Sequence, residues 1–313
     1  MHGLHRGFLR LHCITVDPAT AKNQHGVTIG DRKSYKLEER SPVKRALTYI
    51  LLTALALVFL FPFYWLLISA FKAKEQIFVL PPEFWPNPWR VANFVDVFQK
   101  THIVRAFFNS AFIAAGHCAL ALFLCSLAGY AFAKFPRAPG RDHLFAFVLA
   151  TMMIPGAVTL IPVFVVLCKI HAINTYWAMI VPGAASAFGI FWMRQYTMDN
   201  VHTDLLDAAR IDGCGEFAIY WRVVLPILKP ALGALGIVLL IGVWNNLMWA
   251  FIVLRTENMY TLPLVIYLLN GENRTPFELI MAASLVATVP LVAAFLVFQR
   301  QFIQGIAAGA IKG

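Results

Sequence analysis

The sequence predicts an all-α membrane protein that crosses the bilayer six times, and three observations predict it. Hydrophobic residues make up 59% of the 313 residues and charged residues only 13%. The mean hydropathy is +0.68. Several stretches of more than ~18 residues, the length that spans a hydrocarbon core, contain no Lys, Arg, Asp or Glu. A water-soluble chain of this size has no means of hiding so much apolar surface. The net charge of +10 does not indicate nucleic acid, because the basic residues flank apolar runs, where they orient a membrane protein.

Residues 1–45 carry Arg6, Arg10, Lys22, Arg32, Lys33, Lys36, Arg40, Lys44 and Arg45 against four acids. They predict a poorly ordered basic tail, too long for a signal-peptide n-region and followed by an uncleaved first span. Gly26 to Gly30 with Lys33-Ser34 lacks the Gly-Lys-Ser/Thr ending of a phosphate-binding loop. The remainder, residues 46–313, forms one domain with spans at about 46–71, 106–133, 143–168, 174–193, 224–254 and 277–299. An even number puts both termini on one side. The tail, the 134–142 link (Lys134, Arg137, Arg141) and the 194–223 link (Arg194, Arg210, Arg222) outweigh the opposite links, so the termini are predicted to be cytoplasmic.

The outer link holds Pro81-Pro82 and Trp85-Pro86-Asn87-Pro88-Trp89. Interfacial anchoring and docking of an external protein both explain tryptophans beside prolines there. Pro155, Pro162, Pro182, Pro226 and Pro230 punctuate the spans and predict bends, as kinks in a static bundle or joints around a passage.

Polar residues within the spans are Asn109, Ser110, His117, Thr151, Thr159, Asn245, Asn246 and Thr288. None is acidic or basic, which argues against proton- or ion-coupled transport. Lys229 snorkels to the cytoplasmic face. His117 alone fits a helix–helix hydrogen bond. Trp244, Asn245 and Asn246 place two amides beside an indole, which suits either a sugar in a translocation pathway or internal packing. The scattered Cys13, Cys118, Cys125, Cys168 and Cys214 have no metal-ligand spacing. No catalytic or metal constellation is present, so no enzyme is predicted.

One polar island, residues 204–226, stands between apolar runs. Asp204 can cap a short helix, Asp207 complements its dipole and Gly213 supplies a left-handed stop, predicting a helix over about 204–213.

Here the residues resemble the inner-membrane permease subunits of ATP-binding-cassette importers. Their loop reads Glu-Ala-Ala, three residues, Gly, nine residues, Ile, one residue, Leu-Pro. This chain has Asp207-Ala208-Ala209, Gly213, Val223 and Leu225-Pro226 at the same spacing, with Asp for Glu and Val for Ile. The likeness runs from about Pro62 to Gly313 and is nearest the carbohydrate-uptake, maltose-transporter type. It includes Ala128-Gly129-Tyr130, Asn174-Thr175-Tyr176-Trp177, Tyr260-Thr261-Leu262-Pro263, and an ending with Phe302, Gly305, Gly309, Ala310, Lys312 and Gly313.

The resemblance implies a type I importer permease fold in a bacterial inner membrane. It implies an ATP-binding subunit dimer that alone binds ATP and Mg, a second and different permease, and an extracytoplasmic solute-binding protein. The short helix is then a coupling helix, with Asp207, Ala208, Ala209, Asp212, Gly213 and Pro226 meeting the ATPase. Other readings are the same machinery for glycerol-3-phosphate or a polyamine, or a membrane enzyme or channel. The spans offer a phosphate ester only Lys229.

Overall fold

The computed structural model describes residues 42–271 and 275–310, with side chains over 43–271 and 275–299. The tail through residue 41, Cys13, Arg274 and the side chains of the Gly-rich ending lie outside the described residues. The described residues form helices and no strand. One unit, residues 1–59, contributes the first part of helix α1 (Pro42–Ser69), which carries Pro62.

The second unit, residues 60–313, carries the rest. A single turn α2 (Lys74–Ile77) and α3 (Ala92–Lys100) follow, then the long α4 (Ile103–Lys134). Next come α5 (Arg141–Thr151), α6 (Gly156–Lys169), α7 (Tyr176–Ile180), α8 (Ala187–Asn200), α9 (Thr203–Ile211) and α10 (Glu216–Ile219). A π-helical turn over Tyr220–Val224 leads through α11 (Leu225–Ile227) into α12 (Lys229–Trp244). The chain closes with α13 (Leu247–Val253), α14 (Leu262–Leu268) and α15 (Phe277–Ala310).

Three stretches match single predicted spans, in α1, α4 and α15, each long and apolar enough to cross a membrane. The third to fifth depart from the expectation. At residues 152–155 the third bends by 103° between α5 and α6, and the fifth bends by 78° between Glu216–Ile227 and Lys229–Trp244. Counting each bent pair as a span gives up to five. The fourth, expected over 174–193, is divided into α7 and α8. At ~1.5 Å per residue neither reaches across ~30 Å of hydrocarbon alone.

The causes are local. Pro155 cannot donate to a preceding turn and sits immediately before α6, whereas Pro162 is tolerated inside it. The fourth breaks where Gly183 takes φ +79° beside Pro182. In the fifth, the π turn and the closely spaced Pro226 and Pro230 interrupt the hydrogen-bond ladder.

What holds α4 against α8 is close approach. A Cβ on Gly129 would lie 2.7 Å from the Met193 Cβ and the Arg194 backbone nitrogen, and one on Gly189 would lie 2.7 Å from Cys125 Sγ. Cys118, Cys125, Cys168 and Cys214 are free. His117 Nδ1 meets the Ile180 carbonyl at 2.9 Å, the predicted helix–helix bond. The 72–105 link is tied to the helices: Lys72 Nζ donates to the Glu83 carbonyl and lies 4.1 Å over the Trp65 ring. Asn93 Nδ2 donates to the Ala70 and Lys72 carbonyls at 3.0 and 2.9 Å. Trp85 and Trp89 stay exposed above this base.

Candidate functional site

The polar island folds as predicted at its end and differently at its start. Asp204 is not the cap. His202 occupies that position without a side-chain bond, and Asp204 sits in the first turn, where its charge faces the helix's positive end. At the other end Gly213 takes φ +81°. Its N–H donates to the Arg210 carbonyl and the Cys214 N–H to the Ala209 carbonyl, both at 3.0 Å. This pair of bonds is a Schellman stop and requires a left-handed residue at Gly213.

The two faces of α9 differ sharply. Leu206 and Ala209 are buried in one apolar cluster with Tyr130, Met193, Ile219 and Tyr220. Asp204, Leu205, Asp207, Ala208, Ile211 and Asp212 are exposed. This corrects the reading of Ala209 as a surface of close approach: three residues from Leu206, it shares the inward face, and Ala208 alone of the alanine pair is presented outward. Ile211, 86% exposed, adds an apolar side chain to this face that the motif did not name. Pro226 is exposed in α11.

Charge on this surface is organised internally. Arg210 Nη1 donates to Asp207 Oδ1 and Arg210 Nε to Glu216 Oε1, each at 2.7 Å. These bonds, to Glu216 first and Asp207 second, raise the Arg210 pKa further above neutrality. Asp207 therefore already has a cation on its own helix. Tyr130 Oη of α4 donates to Glu216 Oε2 at 3.1 Å. Sequence reasoning missed Arg210, Glu216 and Tyr130 as a set, because 86 residues separate Tyr130 from Glu216.

The second predicted site divides. Trp244 is buried and its indole N–H donates to the Ala287 carbonyl at 3.2 Å, so it packs. Asn246 accepts from the Trp249 N–H at 3.2 Å as the cap of α13. Asn245 ends α12, donates to the Ile241 carbonyl at 2.9 Å and is exposed. It lines a groove of about 440 Å³ between α12, α14 and α15. Tyr267, Asn270, Ser284 and Thr288 join it there, polar groups on apolar walls. No group of three or more His, Cys, Asp or Glu able to hold a metal occurs among the described residues.

Asn109, Asn174 and their neighbours act structurally. Asn109 Nδ2 donates to the Asn258 and Tyr260 carbonyls at 2.8 and 2.9 Å, and its Oδ1 accepts from Tyr176 Oη at 2.8 Å. Asn174, at φ 60°, accepts the Arg255 N–H at 2.8 Å.

Residues 125–308 match the family model described as binding-protein-dependent transport system inner membrane component. The chain is similar to the arabinooligosaccharides transport system permease protein AraQ of Bacillus subtilis, 35% identical over 262 residues, covering 83% of this chain and 92% of that one. AraQ of Halalkalibacterium halodurans is 33% identical over 276 residues, covering 87% and 98%. The lactose transport system permease protein LacG of Rhizobium radiobacter is 32% identical over 264 residues, covering 84% and 95%. Among solved structures, a bacterial ABC transporter involved in the import of the acidic polysaccharide alginate has a chain of the same fold, with TM-score 0.72, 22% identity and coverage of 83% and 96%. The chain, a multi-pass membrane protein, belongs to the family of binding-protein-dependent transport system inner membrane components.

Proposed function

We propose that this chain is the permease subunit of an ATP-driven importer and forms half of the passage for a sugar or oligosaccharide. An extracytoplasmic binding protein delivers the solute, a second permease completes the passage, and a separate ATPase dimer, holding ATP and Mg, drives it. The bent third and fifth spans and the divided fourth bring the crossings to six, with both termini and α9 cytoplasmic. The observation that carries this reading is the two-faced helix α9. Its inner face is built into the bundle and its outer face offers Asp204, Asp207, Ala208, Ile211 and Asp212. Such a face suits a cleft with basic walls and an apolar floor. Family membership and relatives named for arabinooligosaccharides and lactose support it.

Charge reversal tests it. Asp207→Lys sets a second cation beside Arg210 and removes an anion from the outer face. In proteoliposomes holding the full importer, uptake is expected to fall at least about tenfold, ~1.4 kcal/mol in docking free energy. Uptake and ATPase copurification at the wild-type level would remove α9 from the docking role.

For the passage, Asn245 carries the solute contact in this reading, while Trp244 and Asn246 shape its backbone. Asn245→Ala is expected to weaken uptake about three- to tenfold through KM or change the preferred sugar, the range of one lost hydrogen bond. Unchanged kinetics across a sugar panel would place the contact elsewhere.

A further inference from the structure

Between α9 and α10 lies a joint with two glycines, Gly213 at φ +81° and Gly215, both in open space. Left alone, such a joint lets α9 move without moving the bundle. The apolar contacts of Leu206 and Ala209 resist separation but give little direction, since dispersion and burial depend weakly on orientation. Hydrogen bonds to charged groups do fix direction. They bridge this joint: Arg210 of α9 donates to Glu216 Oε1 across it, and Tyr130 of α4 donates to the other carboxylate oxygen. Glu216 is thereby held from both sides.

A second tie lies one helical turn away on the same face of α4, where Ser126 Oγ and Tyr220 Oη stand 2.8 Å apart. The Tyr130 and Tyr220 rings lie 5.9 Å apart between the two ties.

We infer that Arg210, Glu216 and Tyr130 form a latch that fixes the surface helix to the second span, so that a displacement of α9 is passed to α4 instead of being absorbed at the glycine joint. The latch rests on the proposed reading in which α9 meets the ATPase. Its members are positioning residues: they touch neither nucleotide nor solute, and they set how much of one motion becomes the other.

The experiment uses the complete importer, with both permeases, ATPase and binding protein, in proteoliposomes, and reads solute transported per ATP hydrolysed. Tyr130→Phe removes one hydroxyl and keeps the ring. Glu216→Gln removes the charge and keeps the shape. Each is expected to lower solute moved per ATP about fivefold, the size of one ordinary net hydrogen bond, with the ATPase still copurifying in full. The double variant is expected to show less than the product of the two single defects, because both changes act on the same carboxylate.

A wild-type ratio in both single variants overturns the latch. So does a loss that tracks the amount of assembled complex, which is what a purely structural role predicts. Asp207→Lys is run beside them. A defect there with a wild-type ratio in Tyr130→Phe and Glu216→Gln overturns the latch alone, whereas wild-type behaviour of Asp207→Lys overturns the docking reading.

Discussion

Gly129→Leu is expected to leave almost no folded protein. Even the first added carbon would stand 2.7 Å from the Arg194 backbone nitrogen and 2.8 Å from the Met193 carbonyl carbon. Backbone atoms cannot swing aside as a side-chain end can, so α4 and α8 must separate. Separation undoes the apolar cluster that includes Cys125, Tyr130, Ile190 and Met193. Overpacking by single methylenes costs ~1–3 kcal/mol, and leucine adds four carbons at a contact that one carbon already violates. A total near the ~5–15 kcal/mol stability of typical domains follows. Gly129→Ala is expected to be intermediate. Gly242, in α12 with nothing near its would-be Cβ, is the control: Gly242→Ala is expected to be neutral or stabilising by about 0.5–1 kcal/mol. The monodisperse fraction on size exclusion in mild detergent, with the thermal midpoint, orders the three. Gly129→Leu protein as abundant and monodisperse as wild type would contradict the close-approach account.

This contact also marks the boundary of what the sequence made legible. Hydropathy located α1, α4 and α15 because an unbroken apolar run of sufficient length has one dominant solution in lipid, a continuous helix. It did not give the 103° and 78° bends, although Pro155, Pro226 and Pro230 predicted bends there. Mean hydropathy is indifferent to backbone direction, and Pro155 breaks its span while Pro162 does not. Gly129 belonged to a recognised pattern, yet its reason, a partner backbone more than 60 residues away, is a tertiary fact.

The same division runs through α9. Spacing placed the helix and its Gly213 stop, since both are local chemistry. It did not separate Ala208 from Ala209, because which side of a nine-residue helix turns inward depends on what Leu206 meets. Asp207 was legible as an acid, and its partner Arg210 was near in sequence, but Glu216 and Tyr130 complete the network only once α4 is in place. In the groove between α12, α14 and α15, Asn245 was legible as an amide beside an indole. The indole's engagement with Ala287 and the arrival of Tyr267, Asn270, Ser284 and Thr288 depend on how α14 and α15 pack.

Asn109→Ala is expected to be the next most damaging change. Asn109 is 2% exposed and is the meeting point of three segments that no continuous helix joins. Its amide N–H groups satisfy the Asn258 and Tyr260 carbonyls, and its oxygen accepts from Tyr176 at the start of α7. Beside it, Ser110 Oγ accepts the Leu262 N–H at 2.8 Å, fixing the start of α14. Alanine would strand the Tyr260 carbonyl and the Tyr176 phenol, while the Asn258 carbonyl would keep the Arg105 Nε donor at 3.3 Å. Unsatisfied buried groups cost ~1–3 kcal/mol each, and side-chain bonds between membrane helices average less, ~0.6–2 kcal/mol. The three bonds together give a loss of about 2–5 kcal/mol. At ~2–4 °C per kcal/mol for chains of roughly this size, the thermal midpoint is expected to drop by about 5–15 °C. Tyr176→Phe removes one of the three bonds and strands only the Asn109 oxygen, so it should cost about a third as much. The ratio between the two variants is the informative quantity. If Tyr176→Phe costs as much as Asn109→Ala, then the phenol dominates and the two carbonyls have found other donors. A ratio near one third means that all three bonds count in holding α7 and the segment before α14 to α4.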